Sequence, residues 1–177
     1  RKALLDIQRE ELEAIILDLR NNPGGLFDEA VGTASQFLDK GNVLFEKDAR
    51  GKLKPVSVNS GGVAYSIPMV VLINQGTASA PEIVAGALQD AQRATLVGEK
   101  TFGAGTVLEK FTLSEGSALM LAIEEWLTPS GRAIWHKGIS PDINVSLPRD
   151  IDPLFPDTIK DMTPTELRNS GDKQLSC

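Results

Sequence analysis

Apolar residues change their spacing along this chain several times, and each change marks an element. Leu4, Leu5, Ile7 and Leu12 recur at helical intervals and predict an amphipathic helix over residues 1–13. "AIILDLR" (14–20) is a short continuous apolar run of the kind a buried strand carries. "NNPGG" (21–25) is a turn by composition. Phe27, Ala30, Val31, Ala34 and Leu38 then share one face of a helix over 26–38. A strand is expected at 41–48, with the polar "ARGKLKP" after it read as a surface turn. "IPMVVLIN" (67–74) is the clearest buried strand. The helix over 77–90 shows its start signal: small hydroxylated residues, Pro81 in the first turn, then Glu82. Residues 94–99 read as a further strand, and 105–113 and 117–128 as neighbouring strands. The segment "PSGRAIWHKGISPDINVSLP" is turn-rich with one short strand, and the tail from Asp150 is polar with a helix start at "TPTEL".

Strands alternate with helices and then give way to paired strands. This order predicts an α/β fold with a mostly parallel sheet, flanking helices and an antiparallel strand extension. A length of 177 residues suits one domain, read as a core over 1–148 and a polar tail with a short helix over 149–177. Trp126, Trp135, Met69 and Met120 are expected in the core. The net charge of −6, with no basic run, argues against a nucleic-acid binder. One histidine and one cysteine, Cys177, give poor support for a metal site and allow no intramolecular disulfide; neither metal nor cofactor is expected. No apolar run approaches the roughly 18 residues of a membrane helix. The chain begins "RKALLDIQREEL", without Met and inside a helical pattern, and is read as a fragment.

Two units share one design: apolar strand, small-residue turn, helix. They are "AIILDLRNNPGGLFDEA" and "MVVLINQGTASAPEIVAGAL". Such turns lie at the carboxyl edge of an open α/β sheet, where ligands bind. Ser79 stands at the start of the second helix. Its hydroxyl suits an N-cap, or a nucleophile at the positive end of a helix dipole. Gly24 and Gly25 suit a turn with positive φ, or a set of amides that binds an oxyanion.

"ILDLRNNPGG", "VVLINQGTASAPEIVAGALQDAQRATLVGEKTFGAG" and "LTPSGRAIWHKGISPDI" together resemble the carboxyl-terminal processing, or tail-specific, proteases. The likeness runs from about residue 1 to 148. These are serine peptidases with a ClpP/crotonase-like core, so the resemblance implies that fold and cleavage of protein or peptide substrates near their C-termini. It implies Ser79 as nucleophile, with Pro81 standing where the family has serine. It implies an oxyanion hole at Ala80 and Gly24, with Gly25 as the fallback. It also implies a PDZ domain elsewhere in the full-length protein and a place in the cell envelope, the periplasm or outside the cell.

The family's general base is a lysine in Phe-Gly-Lys-Gly. That position here is Ala104, inside "TFGAG". A glutamine four residues later orients the lysine, and here it is Leu108. A serine hydroxyl needs a base within reach at neutral pH, and neither residue supplies one. Three explanations stay open: a deliberate replacement, a natural branch that binds peptides without cutting them, or a different base. His136 is the first substitute, since an ordinary pKa near 6.5 suits the task, although it also reads as a surface histidine. Lys100 is read as structural, and Lys110 and Lys137 as solvated. Glu124 and Glu125 are consecutive on a strand, so one should face inward and could orient His136. An acyl-CoA enzyme on the same fold is a weaker reading, because fold alone does not fix function.

Overall fold

The structure is a computed structural model that describes residues 2–9 and 13–176; Leu12, counted above in the first helix, lies outside them. Helix α1 (Lys2–Arg9) precedes strand β1 (Ile15–Asp18), which turns into α2 (Phe27–Phe37). Strands β2 (Asn42–Asp48) and β3 (Leu53–Ser57) follow as a hairpin. Next come β4 (Met69–Ile73), α3 (Ala80–Asp90) and β5 (Thr95–Gly98). Strands β6 (Thr106–Thr112) and β7 (Ala118–Leu127) form a long hairpin, followed by the short β8 (Ile143–Asn144). Helices α4 (Pro156–Ile159), α5 (Pro164–Asn169) and α6 (Lys173–Ser176) end the chain.

A parallel sheet has the order β1-β4-β5-β8, with Val70 paired to Ile16 on one side and Thr95 on the other. Its centre is dry: Val71, Leu72 and Ile73 are each at most 1% exposed. Helix α3 is apolar on nearly every side, as a fully packed helix must be, and buries Ile83, Val84, Ala85, Ala87 and Leu88. Gly86 lets the 128 and 139 segments approach, since a Cβ there would fall 2.9 Å from Thr128 Cγ2. Truncating Leu72 or Ile83 to alanine would cost about 2–5 kcal/mol.

The fold is the α/β arrangement expected, and the antiparallel extension is a full second sheet of order β3-β2-β7-β6. Three readings need correction. The expected surface turn over 49–55 contains the start of β3, because Ala49, Arg50 and Gly51 suffice to reverse the chain. Strand β3 is an edge strand with Lys54 and Pro55, residues that blunt an open edge and hide the strand from a hydrophobic pattern. Trp126 is buried against Phe27 and Met69 is in the core, but Trp135 and Met120 are 43% and 52% exposed. Met120 lies in the outer part of the β6–β7 hairpin, where Leu119 and Leu121 are exposed too. Finally, the polar tail, expected to hold one short helix, has three among the described residues and is docked on the core: Asp172 and Gln174 are 1% and 3% exposed.

Candidate active site

The two strand–turn–helix units meet at the carboxyl edge of the parallel sheet. Thr77 is fully buried, donates its hydroxyl to the Leu19 carbonyl at 2.8 Å and accepts from Asn74 N at 3.0 Å. Asn74 accepts from Asn21 N at 2.9 Å and donates its amide to Asn21 Oδ1 at 2.8 Å. Ala78 N donates to the Asn22 carbonyl at 3.0 Å. The turn after β1 and the turn after β4 are therefore fixed to one another by side chains and backbone alike.

Ser79 sits on a strained corner between β4 and α3, with φ 64° and ψ −119°. A non-glycine residue holds such dihedrals only where its surroundings enforce them. It occupies the N-cap position and forms a capping box with Glu82, its hydroxyl facing the Glu82 amide without a hydrogen bond of full geometry. In the other half of the box Glu82 accepts from Ser79 N through Oε2 at 2.8 Å. Outside that box no group among the described residues hydrogen-bonds the hydroxyl. A sharp strand-to-helix corner that exposes a serine hydroxyl is the geometry of a nucleophile elbow.

Gly24 lies against this serine. A Cβ on Gly24 would fall 3.4 Å from Ser79 Cβ and 3.7 Å from its Oγ, and its φ of 142° suits only glycine. The Gly24 amide donates to Asn22 Oδ1 at 3.1 Å on the exposed side of the turn. The amides of Gly25 and Ala80 meet no acceptor among the described residues. Ala80 is the first residue of α3, so its amide also carries the positive end of the helix dipole. Gly25 and Ala80 are adjacent, with a Cβ on Gly25 falling 3.9 Å from Ala80 Cβ. A hollow of about 220 Å³ opens beside them, with Leu19, Leu26, Ala30, Thr33, Pro81 and Val84 in its wall.

The loop carrying Ala104 is held from both sides. Buried Glu82 accepts from Thr101 Oγ1 at 2.5 Å and Gly103 N at 2.7 Å through Oε1, and from Ala104 N at 2.9 Å through Oε2. Oε2 is the same atom that receives Ser79 N. One carboxylate oxygen therefore holds the serine and position 104 within two hydrogen-bond lengths of each other. On the opposite side the loop packs on residues 134–138, and His136 N donates to the Gly103 carbonyl at 2.9 Å. This contact explains the flanking glycines. A Cβ on Gly103 would lie 2.9 Å from Gly138 N, and one on Gly105 would lie 2.5 Å from Ile134 Cβ.

The remaining residues singled out in the sequence fall elsewhere. Leu108 is on β6 opposite Ala122 and is 58% exposed. His136 is exposed, has φ 56°, and stacks on Trp135 with 4.4 Å between ring centroids. It lines a hollow with Gln75, Glu99, Lys100 and Phe102, and makes no hydrogen bond to Ser79. Lys100, Lys110 and Lys137 are exposed. Glu124 and Glu125 are both half-buried on the wall of a separate groove, where Glu125 pairs with Lys47 at 3.0 Å. The sequence reading noticed Glu82 only as a helix-start residue, and its place three positions after Ser79 was the available signal. It missed Arg20 altogether. Burial alone would lower the pKa of Arg20, but the hydrogen bonds it donates to Asp18 and Asp172, and their charges, outweigh that and raise it.

A serine corner, two glycine amides and a helix start therefore share one sheet edge. The sequence model of peptidase family S41 matches residues 1–145, and the chain belongs to that family. It is 44% identical over 146 residues to a carboxyl-terminal-processing protease of Synechocystis, covering 82% of this chain and 34% of that protein. It is 36% identical over 155 residues to a chloroplastic C-terminal processing peptidase of Tetradesmus obliquus, covering 86% and 33%. The chain thus spans about a third of the length of these relatives. Among solved structures, the photosystem II D1 C-terminal processing protease superposes with a TM-score of 0.82 at 34% identity, over 89% of this chain and 40% of that one. Mature CPAF, at 18% identity and a TM-score of 0.71 over 99% of this chain and 45% of that one, shares the fold.

Proposed function

We propose that this chain carries the catalytic core of a serine endopeptidase of the carboxyl-terminal-processing type, acting on protein or peptide substrates, with Ala104 in the place of the general base. The observation that carries this reading is Ser79: a residue held at φ 64° on the strained corner between β4 and α3, with the Gly24 turn against its side chain. In the proposed reaction Ser79 Oγ attacks the scissile carbonyl carbon. The developing oxyanion is received by the amides of Ala80 and of Gly24 or Gly25, donors of the kind worth about 10²–10³ in rate each. The hydroxyl proton must leave as the bond forms. Alanine at 104 cannot take it, so the reaction is expected to run at the residual level left when a base is missing, about 10³–10⁴ over water. The same family likeness supports a PDZ domain in the full-length protein and a cell-envelope or secreted location.

One observation favours a second reading, a homologue that binds peptides in this cleft without cutting them. Ser79 Oγ has no hydrogen-bonded base among the described residues, and His136 stacks on Trp135 instead. A peptide-cleavage assay on the full-length protein separates the two readings. Ala104→Lys, alone and with Leu108→Gln, is expected to raise cleavage at least a hundredfold, and adding Ser79→Ala is expected to abolish the gain. Peptide binding with no cleavage in any variant would favour the second reading.

A further inference from the structure

Arg20 directly precedes the oxyanion turn, and its side chain points to the far end of the chain. All five guanidinium N–H groups are used. Nε and Nη2 donate to Asp18 at 2.9 and 2.7 Å, and Nη2 also donates to the Leu154 carbonyl at 2.8 Å. Nη1 donates to Asp172 at 2.8 Å and to Gln174 Oε1 at 3.1 Å. The guanidinium lies 5.9 Å from the centre of the Phe155 ring. Both ionic side chains of the Arg20–Asp172 pair are fully buried. Asp172 is itself fixed, accepting from Leu154 N at 2.9 Å and from Gln174 N at 3.1 Å. Two separate pieces of the tail, at 154–155 and 172–174, thus converge on one side chain of the core.

The position of that side chain matters. Strand β1 is the edge of the parallel sheet, so no further strand of the described residues supports the turn that leaves it. Two residues after Arg20, the Asn22 carbonyl accepts from Ala78 N, the amide before Ser79, and Asn22 Oδ1 accepts from Gly24 N. A shift of Arg20 is carried by two residues of backbone into both contacts.

We propose that the C-terminal segment, through Asp172, sets the oxyanion turn, with Arg20 as a positioning residue for Gly24 and Gly25. The kinetic part of this proposal rests on the serine-peptidase reading above, and the structural part does not. The test has two arms on the whole chain. In the first, backbone amide NMR compares the chain with Asp172→Asn, with Gln174→Ala as a milder variant if the first unfolds, and with exposed Lys173→Ala as control. Asn22, Gly24 and Gly25 resonances are expected to move in the first two and not in the control, while Leu88 in α3 stays put. Unmoved glycine resonances in a folded Asp172→Asn would overturn the proposal whatever the enzyme does.

In the second arm the same changes are made in the Ala104→Lys background. A misplaced catalytic group costs on the order of a hundredfold in rate, so kcat is expected to fall about ten- to a hundredfold with KM within twofold. Asp172→Glu is expected to recover part of the loss. A lower melting temperature with unchanged kcat would reduce Asp172 to a structural role and overturn the positioning claim. Moved resonances with no cleavage in the Ala104→Lys background would instead count against the peptidase reading and leave the link between tail and turn in place.

Discussion

Two turns meet at one sheet edge, fixed to one another through Thr77, Asn74 and Asn21, and each has a buried charged side chain beside it. The turn at Ser79 is held by Glu82, three residues away on the same helix. Next to the turn at Gly24 stands Arg20, whose partner Asp172 lies 152 residues further along the chain. The charged grip on the Ser79 corner is therefore local, made by the start of α3 and the loop it holds. The charged grip next to the Gly24 turn is assembled from the core and the docked tail. The two should fail in different ways, and the difference can be measured.

The largest effect is expected at Glu82. Glu82→Ala leaves the Ser79, Gly103 and Ala104 amides and the Thr101 hydroxyl without their acceptor. Unsatisfied buried polar groups cost about 1–3 kcal/mol each and are not additive, so a loss of about 3–5 kcal/mol is expected from urea denaturation. A loss under about 1 kcal/mol would show that the local grip is not what holds the loop. Next comes Gly105→Ala, whose Cβ would fall 2.5 Å from Ile134 Cβ and 2.7 Å from Trp135 N. Overpacking of this kind costs about 1–3 kcal/mol. It should disturb the 101–105 loop while leaving the Gly24 turn in place, as amide NMR would show.

Asp90, at the other end of α3, sharpens the contrast because it anchors the same helix away from the site. It accepts from Ser130 N at 2.7 Å and pairs with Arg132. Burial pushes its pKa up, but hydrogen bonds from Thr128 and Ser130 and the charge of Arg132 outweigh this and leave it lowered. A lowered folded-state pKa gives stability that is present above the ordinary carboxylate range and lost as pH falls through the lowered value. Asp90→Asn should therefore cost about 1 kcal/mol at neutral pH. The gap in urea midpoint should close below the ordinary carboxylate range, with no change at Ser79 or Gly24. The smallest effect belongs to the outer hairpin. Leu113→Ser changes a residue that is 51% exposed and is expected to stay within about 0.5 kcal/mol.

How much of this was legible in the sequence follows the same local and non-local divide. The strand–turn–helix order, Pro81 in the first turn of α3 and the glycines around Ala104 are local signals that place Ser79 at a helix start and Ala104 in a tight loop, while the roles expected of them came from the family resemblance. Glu82 was visible as a residue type, but its four donors come from two segments that only the fold brings together. Arg20 and Asp172 left no pattern at all, since nothing in a polar tail announces which core residue it meets. Trp135 and Met120 failed for a related reason: an apolar residue states a preference for burial, not whether a neighbour is there to cover it. Strand β3 was missed because edge strands are polar by need.

The central claim is that position 104 is the seat of a base beside Ser79, kept in shape by Glu82 and by residues 134–138. The most direct measurement is the rate at which a small serine-directed fluorophosphonate modifies Ser79, followed by intact mass in the chain and in Ala104→Lys. A lysine seated there should speed modification at least a hundredfold at neutral pH, within the range that general-base catalysis supplies, with Ser79→Ala unmodified. Equal rates in the two chains would contradict the account.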